Sequence, residues 1–232
     1  MADCYFRGCT AAAKTVEHVP PKSFFPVNQR RNLLTVPSCV THNNFKSQDD
    51  TYVLAHITMN ASPRNGARDV FLKSVVPQLG SKPESLHAQL VTDFKRSPLG
   101  GVVYQVNHDR INEYFDALCF ALYAKAHRSQ LPTTYTLRHI YHDLIDCRVL
   151  SPYWLMKKLT LVMYKHVLKG AASKVQVKCD NPDIYQAHLF GLPGRPLTIT
   201  HEFYRHFRVS SYLTPIEGTN NSSKPTPLSG AA

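Results

Sequence analysis

Hydrophobic positions fall into helical register most clearly between Asp109 and Arg128. Ile111, Tyr114, Phe115, Leu118, Cys119, Leu122 and Tyr123 step by threes and fours, a stripe that faces a core. Lys125, His127 and Arg128 close the segment, where cations suit the negative end of the helix dipole. Phe45, Tyr52, Val53, Leu54, Ile57 and Met59 predict a second helix over 44–60. Shorter helices are expected over 66–76 and 83–94, punctuated by Pro63, Gly66, Pro77, Gly80 and Pro83, and the helical expectation continues over 134–147 and 152–169. A turn at 97–101 leads to a short strand at 102–106. From Lys174 the period becomes two: Val175-Gln176-Val177-Lys178-Cys179 alternates, and so do parts of 183–190, 196–200 and 203–213, with turns at Asn181-Pro182 and Gly191-Leu192-Pro193-Gly194. This predicts a small antiparallel sheet, followed by a disordered tail over 214–232, rich in Asn, Ser, Pro, Thr and Gly.

The first fifty residues have little apolar periodicity and carry the chemistry instead. Cys4 and Cys9 are separated by four residues and Cys39 and His42 by two, with about thirty residues between the pairs. Three thiolates and an imidazole form an accepted closed zinc site, and the metal would supply folding free energy that a short Pro-rich stretch lacks. The alternative is that these cysteines are small buried hydrophobes. Glu17-His18 sets a carboxylate beside an imidazole, followed by Pro20-Pro21, which disfavour helix. A neutral imidazole can accept a proton from water near neutral pH. Glu17 is a hard oxygen donor suited to Mg²⁺ or Mn²⁺, and Asn43 or Asn44 could add an amide oxygen. Lys46 could neutralise a neighbouring phosphate. Asn43-Asn44 could equally cap a helix, and Asp49-Asp50 reads as a solvated first-turn pair ahead of a supporting role at the site.

Taken together, Glu17-His18-Val19-Pro20-Pro21-Lys22-Ser23, Asn32-Leu33 and Val36-Pro37-Ser38-Cys39-x-x-His42-Asn43-x-x-Lys46-Ser47 closely resemble the HNH endonuclease family of ββα-metal nucleases. The resemblance covers about the first 55 residues and is nearest to a bacterial branch whose motif continues into Ser-x-Asp-Asp, here Ser47-Gln48-Asp49-Asp50. It implies two short strands and a helix around one catalytic metal. It makes His18 the general base, Glu17 a metal ligand where the family usually has Asp, and Asn43 the second ligand at the head of the helix. Asn32 falls at the middle position of the motif, which braces the loop carrying the base. Cys4, Cys9, Cys39 and His42 match the zinc ligands, with His42 where the family usually has Cys. Hydrolysis leaving a 5′-phosphate and a 3′-hydroxyl is implied.

Composition fits this expectation. The chain of 232 residues is 43% hydrophobic and 19% charged, as in globular proteins, and carries a formal net charge of +11 from 27 basic and 16 acidic residues. A polyanionic partner is expected, DNA first and RNA second, with salt-sensitive association. Arg64, Arg68 and Lys73 mark one candidate nucleic-acid face; His201, Tyr204, Arg205, His206 and Arg208 mark a basic-aromatic strand that serves either stacking or packing. His127, His139, His142 and His166 lack matching Cys or carboxylate spacing and read as hydrogen-bonded or solvated. Cys119 and Cys147 sit in apolar helical patterns and Cys179 in a strand-like run; six cysteines without paired spacing do not form a disulfide framework. No apolar run is long enough to cross a bilayer, and no signal peptide precedes Cys4, so no membrane partner and a reducing cytoplasm are expected.

The expected architecture is α+β: a zinc-stapled ββα-metal module over 1–60, then a mostly helical accessory domain with a small C-terminal antiparallel sheet over 61–213, for substrate grip or homo-oligomerisation. The expected function is a metal-dependent DNA endonuclease with structural Zn²⁺ and catalytic Mg²⁺ or Mn²⁺. Two rivals stand beside it: a catalytically inactive zinc-stabilised nucleic-acid-binding module, and a structural zinc protein acting in protein complexes.

Overall fold

Short, proline-interrupted segments at the N-terminus give way to two long amphipathic ones, and this division governs the architecture of the computed structural model. It describes residues 3–45, 47–61, 66–80, 86–90, 95–96, 102–103, 106–143, 159, 161–162, 174–177 and 181–216. β1 (Thr15–His18) and β2 (Thr35–Ser38) form an antiparallel hairpin in which His18 pairs with Thr35 and Glu17 with Val36. α1 (Val40–Phe45) follows directly, then α2 (Ser47–Asn60). The shorter helices α3 (Ala67–Val70) and α4 (Leu86–Leu90) and the two-residue strands β3 (Lys95–Arg96) and β4 (Val102–Val103) come next. α3 continues into one π-helical turn at Phe71–Val75 and a 3₁₀ turn at Val76–Gln78, where Pro77 removes a donor.

α5 (His108–His127) is the helix foreseen from the apolar stripe. Asn107 caps it, its side chain accepting from the Arg110 backbone N–H at 3.2 Å. Ile111, Tyr114, Phe115, Leu118, Cys119, Leu122 and Tyr123 are all buried. They lie over a five-stranded antiparallel sheet built from β5 (Tyr135–Tyr141), β6 (Lys174–Val177), β7 (Tyr185–Phe190), β8 (Leu197–Phe203) and β9 (Phe207–Pro215), in the order β5-β9-β8-β7-β6. Phe115, fully buried, sets its ring 5.4 to 6.2 Å from those of His139, Tyr141, His201 and Phe203.

The segment expected to be helical over 134–147 is instead strand β5 through Tyr141. Tyr135, Leu137, His139 and Tyr141 share one face by alternation, and pairing with β9 over seven residues outweighs the weak helical spacing of the two histidines. Thr214 and Pro215, expected in the tail, belong instead to β9, in register with Thr136 and Tyr135. Most of the expected helix at 152–169, together with Cys147, Cys179 and residues 217–232, lies outside the described residues.

The buried apolar cluster runs without interruption from Cys4 to Leu213. Tyr204, fully buried, donates its hydroxyl to the Phe24 carbonyl at 2.7 Å, tying the end of β8 to the segment after β1. α2 is pinned to the start of α5 by Arg110, which donates to Asp49 at 2.7 Å and lies 4.1 Å over the Tyr52 ring, and by the Asn107 N–H donating to the Tyr52 hydroxyl at 2.8 Å. No described helix is long and apolar enough to cross a membrane.

Candidate metal centre and flanking polar site

The N-terminal loop folds back so that Cys4 and Cys9 meet the residues just beyond β2. The Cys4 N–H donates to the Ala11 carbonyl at 3.2 Å and the Cys9 N–H to the Phe6 carbonyl at 3.0 Å, closing a tight turn with Gly8 at φ +75°. Cys39 ends the hairpin and His42 lies in the first turn of α1, one side of it stacked on the Phe6 ring at 4.0 Å and 8°. The ligand atoms of Cys4, Cys9, Cys39 and His42 all lie within 4.8 Å of one another. Among the described residues this is the one place where three or more His, Cys, Asp or Glu donors converge.

The spacing fits a tetrahedral ion. Usual Zn–S and Zn–N lengths require about 3.8 Å between sulfurs and about 3.6 Å between sulfur and nitrogen. The Cys9 and Cys39 Sγ atoms are 4.0 Å apart, and His42 Nδ1 lies 3.5 Å from Cys4 Sγ and 3.2 Å from Cys39 Sγ. The His42 N–H donates to Cys39 Sγ at 3.4 Å, and this amide holds the Cys39 thiol below its ordinary pKa. Burial pushes Cys4 the other way, towards the neutral thiol. A bound cation would hold both as thiolates. Gln130, just past α5, donates to the Cys4 and Cys9 carbonyls at 2.7 and 2.6 Å, so the clip is fastened to the helix end.

Glu17 and His18 lie on the neighbouring strand with different surroundings, as alternation along β1 requires. Glu17 is 6% exposed, and its carboxylate accepts from the Tyr5 hydroxyl at 2.8 Å. His18 is part-exposed; burial, then Lys22, lowers its pKa below the ordinary value, while Glu17 pulls the other way. Its imidazole is therefore mostly neutral at physiological pH. Lys125 at the end of α5 donates to the Thr35 carbonyl at 3.3 Å, opposite His18 in register. A groove of about 630 Å³ runs along β2 between Thr35, Pro37, Lys125 and Arg128.

Asn43 sits in α1 beside His42, its N–H donating to the Cys39 carbonyl at 3.0 Å. Asn32 is exposed on the loop before β2 at φ +50°, a left-handed conformation that Asn tolerates better than most residues. Lys46 and Arg64 lie outside the described residues. Asp49-Asp50 is not a solvated pair: Asp49 binds Arg110, and Asp50 is half-buried, close enough to Tyr5 and Tyr114 for its charge to raise the pKa of both phenols. In the basic-aromatic segment, packing takes the aromatic residues His201 and Tyr204, while Arg205 stays exposed. His201 and Tyr204 are fully buried, Arg208 pairs with Asp143 at 3.4 Å, and Arg205 pairs with Asp183.

Sequence patterns did not single out Tyr5, Phe6 or Gln130. Each touches the clip or Glu17, and the only signal was adjacency, since Tyr5 and Phe6 follow Cys4 directly. Compared with known proteins, the chain matches no family model, no curated protein and no solved structure.

Proposed function

We propose that the chain is a metal-dependent endonuclease of the HNH, ββα-metal type, acting on DNA. The observation that carries the proposal is the order of parts around the clip. A two-stranded hairpin bearing Glu17-His18 is followed at once by a helix bearing His42-Asn43, and Cys4, Cys9, Cys39 and His42 fasten the two together. The resembling motif has the same order. Structural Zn²⁺ suits the clip by both its donor set and its spacing.

In this proposal His18, kept neutral by burial and Lys22, accepts a proton from the attacking water. Glu17 contributes a carboxylate and Asn43 an amide oxygen, hard donors that suit Mg²⁺ or Mn²⁺. Such an ion, when bound, neutralises charge on the phosphate oxygens during in-line displacement. Lys46 contacts phosphate; the bracing role that the resemblance gives Asn32 has no side-chain hydrogen bond behind it among the described residues, where Asn32 stands exposed on the loop before β2. Lys125 and Arg128 along the groove beside β2 suit a polyanionic backbone.

The test compares wild type with His18→Ala on supercoiled DNA with Mg²⁺ or Mn²⁺. Nicking by wild type and a loss of at least a hundredfold in the variant, with zinc content and melting unchanged, supports the endonuclease. Salt-dependent binding without cutting by either protein identifies the second candidate, an inactive zinc-stabilised nucleic-acid-binding module. No binding at all leaves the third, a structural zinc protein.

A further inference from the structure

The clip and the carboxylate are not independent features, because a single residue joins them. Tyr5 follows the ligand Cys4 in the chain, and its N–H donates to the Pro37 carbonyl on β2 at 2.9 Å. This backbone bond, and the turn that brings Cys4 to Cys39 and His42, fix where the phenol enters the module. The ring is 2% exposed and its hydroxyl donates to Glu17 Oε2 at 2.8 Å.

We propose that Tyr5 is a positioning residue. Its hydroxyl orients the Glu17 carboxylate towards a divalent ion, and its place next to Cys4 makes that orientation depend on the zinc clip. The inference rests on the endonuclease proposal for Glu17 as an ion ligand. A buried carboxylate needs a donor in any case, so the bond alone does not separate positioning from mere satisfaction. What separates them is consequence: a positioning donor changes ion affinity through Glu17 and through nothing else. Outer donors to ligating groups typically change metal affinity by about 10- to 100-fold when removed.

The experiment uses the full chain purified with zinc, and Mn²⁺ as the probe. Free Mn²⁺ is followed by electron paramagnetic resonance for wild type, Tyr5→Phe, Glu17→Gln and the double variant. Zinc content and a circular dichroism melt are measured on each. Wild type is expected to bind Mn²⁺. Tyr5→Phe is expected to bind it about tenfold more weakly with its zinc retained. The double variant is expected to match Glu17→Gln within about twofold, because no carboxylate remains to be oriented.

Equal affinity in wild type and Tyr5→Phe, with affinity lost in Glu17→Gln, overturns the inference and leaves the endonuclease proposal standing. Additive losses in the double variant overturn it too, since the hydroxyl would then act by general loosening. A Tyr5→Phe protein that loses zinc or its cooperative melt also overturns it, because the hydroxyl would then serve the clip rather than the carboxylate. A wild type that neither binds Mn²⁺ nor nicks DNA removes the endonuclease proposal and this inference together.

Discussion

Two buried histidines make the fold acid-labile in a way that can be worked out. His201 is fully buried between α5 and the sheet, its Nδ1 3.0 Å from the Tyr185 hydroxyl and its Nε2 3.4 Å from Ser211 Oγ and 3.6 Å from Cys119 Sγ. Burial lowers its pKa to about 3. His56 on α2, also fully buried and 4.4 Å from the Tyr52 ring, is lowered to about 4 by the same cause. In the unfolded chain both return to about 6.5. The unfolded state therefore binds more protons below about pH 6.5, and stability falls as pH drops from there towards the folded values. Each histidine removes about 1.4 kcal/mol per pH unit in that window, so at pH 5 the two together remove about 4 kcal/mol, a large share of a typical domain's stability. Urea unfolding followed by circular dichroism at pH 7.5, 6.0 and 5.0, with excess zinc, measures this. His201→Gln cannot take up the proton, so its stability should fall less steeply by about 1.4 kcal/mol per pH unit than that of wild type. Titration of the zinc ligands is common to both proteins and cancels in the difference. Parallel pH curves for the two would refute the reasoning.

Zinc should be present at one equivalent per chain and be lost in Cys39→Ser, with metal analysis and the tetrahedral spectrum of a cobalt-substituted protein as the checks. Chelation should lower the melting temperature of wild type and leave Cys39→Ser, already without metal, unmoved; destabilisation of several kcal/mol is expected for a structural site. Asn107→Ala should cost about 1 kcal/mol by leaving the first turn of α5 uncapped, read as a drop of a few degrees in the melt with an unchanged denaturant slope.

The long helix α5 was readable because seven residues from Ile111 to Tyr123 repeat at helical spacing and packing then buries every one of them. The strands after Lys174 were readable for the matching reason: period two survives wherever one face is covered. β5 was not, although it is as long as β8, because its partner β9 lies some seventy residues away; only the register Tyr135↔Pro215 to Tyr141↔Val209 makes it a strand. At the metal centre, the spacing Cys4/Cys9 and Cys39/His42 was enough to anticipate the clustering of all four ligand atoms. Partners distant in sequence were invisible: Gln130 on the clip carbonyls, Arg110 on Asp49, and Asp116 on His139 at 2.9 Å. The last supplies the carboxylate that local spacing around His139 lacked, yet it makes a hydrogen bond rather than a metal site.

The seating of Phe6 has a practical consequence for anyone wishing to transplant the hairpin, clip and first helices. That ring lies against His42 and against Phe120 on α5, whose ring stands at 85° to it with centroids 5.2 Å apart. A fragment ending after Asn60 would take Phe120 from Phe6, Arg110 from the Tyr52 ring and Gln130 from the Cys4 and Cys9 carbonyls. Any portable version must carry the helix 108–127 and the residues just after it, even though they lie far from the motif in the chain.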